Sequence, residues 1–199
     1  MNIILLGHST VAVDAPEGRF VIDPGNLTDD PQLEKAQAVL ITHIHPDHCD
    51  TAAIRASGLP VFGPHAVVDE LGTGTVVRSG EQITVLGQEI SCVGEIHEMI
   101  HPDLPRPENV GYFFDGVLHP GDEFIEIEGV RTLLMPIACP WVKGEFAANW
   151  AREINAERTI PIHDEVLSDK GRNLYDNVYE NLGVPGYTRV PQGKNFKTA

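Results

Sequence analysis

The sequence predicts an α/β fold in which sheet is covered by helices, and two observations lead there. Residues 2–6, 10–14 and 19–22 read as short strands separated by Gly7 and the Pro16-Glu17-Gly18 turn, an antiparallel opening meander. From residue 38 onward, apolar runs alternate with helical stretches. Ala38-Val39-Leu40-Ile41 reads as a buried strand, 49–57 as a helix stopped at Gly58, 60–62 as a strand and 65–71 as a second helix. A βαβα alternation needs a sheet with helices outside it.

The second half continues in the same style. Residues 75–78, 82–86 and 89–93 read as three strands with glycine turns, and 110–114 and 117–119 as a hairpin around Asp115-Gly116. Residues 130–135 form another buried strand, followed by a helix from about 145 to 156. A short strand at 158–162, a helix over 165–182 and a polar tail complete the chain. No composition shift or low-complexity segment divides the 199 residues, so one domain spanning 1–199 is expected.

Composition narrows the function. A net charge of −15 repels phosphate backbones, which argues against nucleic-acid and membrane-surface partners and for a small-molecule substrate. Cys49, Cys92 and Cys139 are far apart, odd in number and free of metal-finger spacing. Together with an N-terminus that lacks a basic region and a long apolar core, they point to a reducing, cytoplasmic setting.

The chemistry concentrates in Thr42-His43-Ile44-His45-Pro46-Asp47-His48, at the end of the 38–41 strand. Neutral imidazole and ionised carboxylate suit divalent cations such as zinc. Residues two apart on an extended chain face the same side, so His43 and His45 can grip one ion. Pro46 ends the strand and redirects Asp47 and His48 toward a second ion. Two ions about 3.5–4 Å apart form a clamp that recurs in hydrolases. Other acids and histidines also fall at strand ends: Asp23 in Val21-Ile22-Asp23-Pro24-Gly25, His97 in Gly94-Glu95-Ile96-His97, Asp122 in His119-Pro120-Gly121-Asp122, and His163 after Pro161-Ile162. His101, four residues beyond His97, competes with it but opens the proline-rich segment 101–107, which reads as a loop over the site mouth.

The His-x-His-x-Asp-His pattern after an apolar strand resembles the signature of the metallo-β-lactamase superfamily, and the later stations occur in the order that family requires. The resemblance implies a four-layer αβ/βα sandwich of two mixed sheets flanked by helices, with the site along a shared edge. It implies two divalent ions, with Zn2+ favoured and Mn2+ or Fe2+ also suitable. The first would take His43, His45 and His97, and the second Asp47, His48 and His163. Asp122 would bridge them, and Asp23 would support the ligands from behind unless it is a turn aspartate. The implied activity is hydrolysis of a small ester, lactone, amide or phosphodiester by hydroxide activated at the binuclear centre, with Asp47 orienting the water. Histidine at position 45 favours this over the diiron oxygen-reducing branch, which carries a carboxylate there.

Gly7-His8-Ser9 and the short chain look like the small, stand-alone lactonase-like branch. Cys49-Asp50-Thr51 replaces the paired glycines of the glyoxalase II pattern, and Glu123 stands where many members carry Thr or Ser after the bridging aspartate. Alternatives from other classes are a non-catalytic or metal-sensing protein that keeps the fold and, more weakly, a nuclease. His8, His101, Trp141 and Lys143 are possible substrate contacts. The competing readings are a structural histidine for His8, a solvated loop for His101 and core packing for Trp141. A symmetric homodimer is compatible with such a hydrolase.

Overall fold

The computed structural model describes residues 1–198 and contains two facing sheets. The first opens with β1 (Asn2–Gly7), β2 (Thr10–Ala15) and β3 (Gly18–Ile22), paired antiparallel as the meander requires. It continues with β4 (Ala38–Leu40), β5 (Val61–Gly63) and β6 (Thr75–Val76), each parallel to the strand before it. Parallel neighbours need a crossover. Two are supplied by α1 (Thr51–Ser57) and α2 (His65–Leu71). Asp50 caps α1 by accepting from the amides of Ala52 and Ala53, and Gly58 ends it in the left-handed conformation.

The second sheet repeats the plan. β7 (Gln82–Val85), β8 (Gln88–Val93), β9 (Gly111–Phe114) and β10 (Val117–His119) form an antiparallel meander. β11 (Thr132–Pro136) and β12 (Arg158–Ile162) then add in parallel. Helix α3 (Gly144–Ile154) makes the crossover between them. Helix α4 (Asp169–Asn181) follows β12.

Side chains alternate across each strand, and this sorts the core into layers. Ala38 and Leu40 face the other sheet, in an apolar layer with Phe20, Ile22, Tyr112, Phe114, Leu134 and Ile160. Val39 and Ile41 face outward onto Ile54 of α1 and Val67 and Leu71 of α2. On the opposite side Leu133 and Met135 face Ala147, Trp150 and Ala151 of α3 and Tyr179 of α4. Helices, sheet, sheet and helices thus stack in four layers, as expected.

The structure departs most from the sequence reading in three places. The segment 165–168 is not helical: Leu167 turns back to the Asp164 carbonyl, and the Ser168 hydroxyl caps α4 by accepting from Gly171. Of residues 75–78 only Thr75–Val76 pair, and they join the first sheet, apart from β7 and β8 in the second. The polar tail contains a strand, β13 (Asn195–Lys197), antiparallel to β1 at the sheet's edge. It was missed because two of its three residues are polar; only Phe196 reaches the inter-sheet core. Phe196→Ala should therefore lower stability by about 3 kcal/mol, the range for losing a buried aromatic, as read from the denaturant midpoint. An unchanged midpoint would show that the tail is not part of the folded unit.

Candidate metal centre

Strand direction builds the site. β1, β3, β4 and β5 point one way in the first sheet, and β8, β10, β11 and β12 share a direction in the second. His8 follows β1, Asp23 follows β3, and His43 to His48 follow β4. His97, Asp122 and His163 follow β8, β10 and β12. The two edges meet where the His163 amide donates to the His8 carbonyl at 2.9 Å and the Val110 amide to the Thr42 carbonyl at 2.9 Å.

Seven side chains from the sequence reading gather in two adjoining groups. His43, His45, His97 and Asp122 form one, and Asp47, His48 and His163 form the other together with His8. Asp122 reaches both, with Oδ2 3.2 Å from His97 Nε2 and 3.3 Å from His163 Nε2, and Oδ1 3.2 Å from His48 Nε2. His97, not His101, belongs to the centre; His101 is exposed and pairs with Asp103. His8 is buried within the second group, its Nε2 3.1 Å from Asp47 Oδ2. Lys143 lies outside, exposed, paired with Glu145 and above the Phe146 ring. Trp141 is buried, and its indole N–H donates to Asp122 Oδ2 at 2.9 Å.

The ring nitrogens facing away from the centre are pinned by named partners. The Thr42 hydroxyl donates to Asp23 Oδ2, so it accepts from His43 Nδ1 at 3.0 Å. His48 Nδ1 donates to Asp23 Oδ2 at 2.7 Å, His97 Nδ1 to the Glu98 carbonyl at 2.5 Å, and His163 Nδ1 to the Ala138 carbonyl at 3.2 Å beside Cys139 Sγ. These bonds leave four Nε2 lone pairs aimed inward. His48 Nε2, His97 Nε2, His163 Nε2 and Asp122 Oδ1 are buried with no hydrogen-bond partner. His43 Nε2 and His45 Nδ1 lie 3.2 Å apart. Donors bound tetrahedrally at about 2.0–2.1 Å from zinc stand roughly 3.3 Å from one another. The residues present therefore fit divalent cations in both donor set and spacing.

Backbone conformation aims several of these groups. His8, Asp23 and His163 adopt φ of 48°, 50° and 59°, a left-handed region that residues other than glycine seldom occupy. Each is the first residue beyond its strand, where the reversal turns the side chain into the shared edge. Asp23 is fully buried and ties the pieces together: Oδ1 accepts the Thr42 amide at 2.7 Å, while Oδ2 accepts the Thr42 hydroxyl and His48. Its role is support, in place of the turn aspartate considered above.

Supports that sequence reasoning missed lie in the second half. Buried Asn109 accepts the Asp122 amide at 3.1 Å and donates to the Pro120 carbonyl at 2.9 Å. Glu123 Oε2 accepts the amides of Glu95 and Ile96 and so fixes the backbone leading to His97. An isolated Asn or Glu carries no spacing signal that would have revealed this. His119 is buried, donating through Nε2 to the Ser9 carbonyl at 2.8 Å and linking the two halves. Cys49 is buried, and burial pushes its thiol up to about 12.

In the metal-free chain, protons on His48 and His163 would balance the carboxylates in place of cations, and bound cations would displace them from Nε2. Burial lowers His48, yet the Asp122 and Asp23 carboxylates outweigh it and raise the ring to about 10. His163 is likewise raised against burial, by Asp122 first. Burial would raise Asp122, but the His163 and His48 charges hold it well below the usual carboxylate range. His43 is held well below its ordinary value, chiefly by burial and then by His48.

Two facing mixed sheets between helices, with histidines and carboxylates gathered at their shared edge, define the class of metal-site sandwiches. The chain belongs to the beta-lactamase superfamily, whose domain description matches residues 2–163. It is 28% identical over 206 residues to Protein Rv0786c of Mycobacterium tuberculosis, covering 96% of this chain and 97% of that one. It is 33% identical over 187 residues to the UPF0173 protein PF0020 of Pyrococcus furiosus, covering 85% and 86%. Its fold is similar to that of Igni18, a metallo hydrolase of Ignicoccus hospitalis, with a TM-score of 0.74, 21% identity, and coverage of 100% and 99%. No helix among the described residues is long and apolar enough to cross a membrane.

Two tests address the network. Asp23→Ala strands the Thr42 amide, the Thr42 hydroxyl and His48 Nδ1 in a buried space, and should destabilise the protein by about 3 kcal/mol or more; a smaller loss would deny Asp23 its supporting role. The raised His48 and His163 values make stability of the metal-free protein pH-dependent. Their contribution is complete below the unfolded histidine value of about 6.5; the His48 part disappears as pH rises through about 10, and the His163 part is likewise lost toward alkaline pH. Chelator-treated protein should thus melt at progressively lower temperature across that range, and a flat profile would show that no such protons are held.

Proposed function

We propose that this protein is a binuclear metal-dependent hydrolase of a small ester, lactone, amide or phosphodiester. One observation carries the reading: His48 Nε2, His97 Nε2, His163 Nε2 and Asp122 Oδ1 are buried without hydrogen-bond partners and converge on one place. Leaving buried polar atoms unpaired costs about 1–3 kcal/mol each, which bound cations would offset. The hydrolase name of Igni18 belongs to that protein, and it agrees with this reading. In this chain His43, His45 and His97 would hold one ion, and Asp47, His48 and His163 the other, with Asp122 shared. Zinc is favoured by the imidazole-rich set. Bound there, the ions would lower the pKa of water toward ~7 and polarise the electrophile.

The chain's own residues supply the rest. Asp47 is the most exposed of the centre's carboxylates, with about a quarter of its side chain open, so it can reach both water and substrate. Its Oδ2 is fixed between His8 Nε2 at 3.1 Å and His163 Nε2 at 3.4 Å. From there it would orient the attacking water and accept its proton. Asp23, Thr42, Asn109 and Glu123 hold the ligands rigid, so little reorganisation accompanies the reaction. The loop over 97–107 is pinned at its neck, where the His97 amide donates to the Pro107 carbonyl and Arg106 Nε to the His97 carbonyl. This loop would form part of the substrate's surroundings. A net charge of −15 supports a small substrate over a nucleic acid.

Elemental analysis of purified or reconstituted protein should find close to two ions per chain, and His163→Ala should lose about one. No stoichiometric metal after reconstitution with zinc, manganese and iron would sink the proposal. With metal bound, generic ester and phosphodiester substrates should be hydrolysed and chelator should stop the reaction. Asp47→Asn should lower the rate by about 10²-fold or more; two bound ions with no hydrolysis of any substrate class would favour a non-catalytic, metal-sensing role.

A further inference from the structure

The loop that follows β11 corresponds in topology to the loop that follows β4. β3 and β10 each close an antiparallel meander, and β4 and β11 each pair in parallel with that closing strand. In the first half the loop is the histidine motif. In the second it is Ile137-Ala138-Cys139-Pro140-Trp141, and it supplies groups that hold ligands contributed by other strands. The Ala138 carbonyl and Cys139 Sγ meet His163 Nδ1 at 3.2 and 3.1 Å. Trp141 Nε1 donates to Asp122 Oδ2 at 2.9 Å. The indole packs edge-on against Phe124, with ring centres 5.2 Å apart, and against His97, at 5.8 Å.

We propose that Trp141 is a positioning residue for the metal centre, fixing which lone pairs of Asp122 remain for the ions; this rests on the metal-centre reading above. A carboxylate oxygen has two lone pairs in its plane. The indole N–H occupies one on Oδ2, leaving a single lone pair on the oxygen that faces His97 and His163. Oδ1 is buried, has no hydrogen-bond partner and faces His48. Asp122 would thus offer the ions one lone pair on Oδ2 and an Oδ1 without a hydrogen-bond partner, and the indole holds the carboxylate against rotation. A packing role alone would not need the N–H aimed at a carboxylate. The chain's other tryptophan shows the contrast, since Trp150 donates to the Ile125 carbonyl within the α3 core.

The test is Co2+ titration of the full chain and of Trp141→Phe, which keeps an aromatic ring and removes the N–H. The variant should melt near the wild-type temperature, bind Co2+ on the order of 10–100-fold more weakly, as loss of a ligand-supporting hydrogen bond does, and show altered visible bands, because those report donor set and geometry. Unchanged affinity and bands in the variant would overturn the proposal while leaving the metal centre intact. A wild-type protein that binds no Co2+ would remove both. If the variant does not fold, the wild-type indole N–H resonances decide. One of the two should move on addition of diamagnetic Zn2+ while the Trp150 signal stays, and two unmoved resonances would overturn the proposal.

Discussion

The structure depends on a constraint of direction. In each sheet the strands that precede a candidate ligand or its support run the same way, so their C-terminal ends come out at one edge. The facing sheets put those two edges side by side. Groups separated by up to 155 residues in the chain, such as His8 and His163, then lie with ring centres 3.9 Å apart. This arrangement is unfavourable in isolation, because it packs lone pairs and carboxylates where water is scarce. It persists because every other part of the fold is conventional: apolar strands, capped helices and an apolar layer on each face of both sheets.

Around the centre, polar groups are held by backbone and side-chain partners rather than by solvent. Asp23 is the tightest knot, joining the ends of β3 and β4 to His48 through three bonds of 2.7 Å. Asn109 and Glu123 do the equivalent work in the second half, one holding the amide of Asp122 and the other the approach to His97. Glycine enters where a side chain would displace these pieces. A Cβ on Gly25 would stand 1.8 Å from the Asp47 carbonyl oxygen, and Gly121, with φ of +63°, would meet Asn109 Oδ1 at 2.3 Å. Close backbone approach thus secures the histidine motif and Asp122 to their neighbours.

Val21-Ile22-Asp23-Pro24-Gly25 and Leu118-His119-Pro120-Gly121-Asp122 are both strand-turn-acid units. Each segment leaves the last strand of an antiparallel meander, and each delivers a buried aspartate to the shared edge. The two aspartates then differ in task. Asp23 accepts three bonds from Thr42 and His48, whereas Asp122 keeps Oδ1 facing His48 among the imidazoles. The same topology places one acid as a brace and the other as a candidate ligand.

Much of this was legible in the sequence, because the signals are local. Period-two apolar runs, glycine and proline stops, and the dense His-x-His-x-Asp-His stretch depend on neighbours a few residues away, so the strands, most helices and the ordered stations His43 to His163 could be read directly. The tail strand β13 could not, since an edge strand with one apolar residue is defined by pairing with β1 rather than by its own pattern. Nor could the placing of Trp141 against Asp122 or the left-handed turns at His8, Asp23 and His163, which depend on what lies across the sheet. Residue types and the strand ends that carry them follow from the order of amino acids along the chain. Which of their atoms face one another follows from how the two sheets are set against each other, and no local pattern encodes that placement.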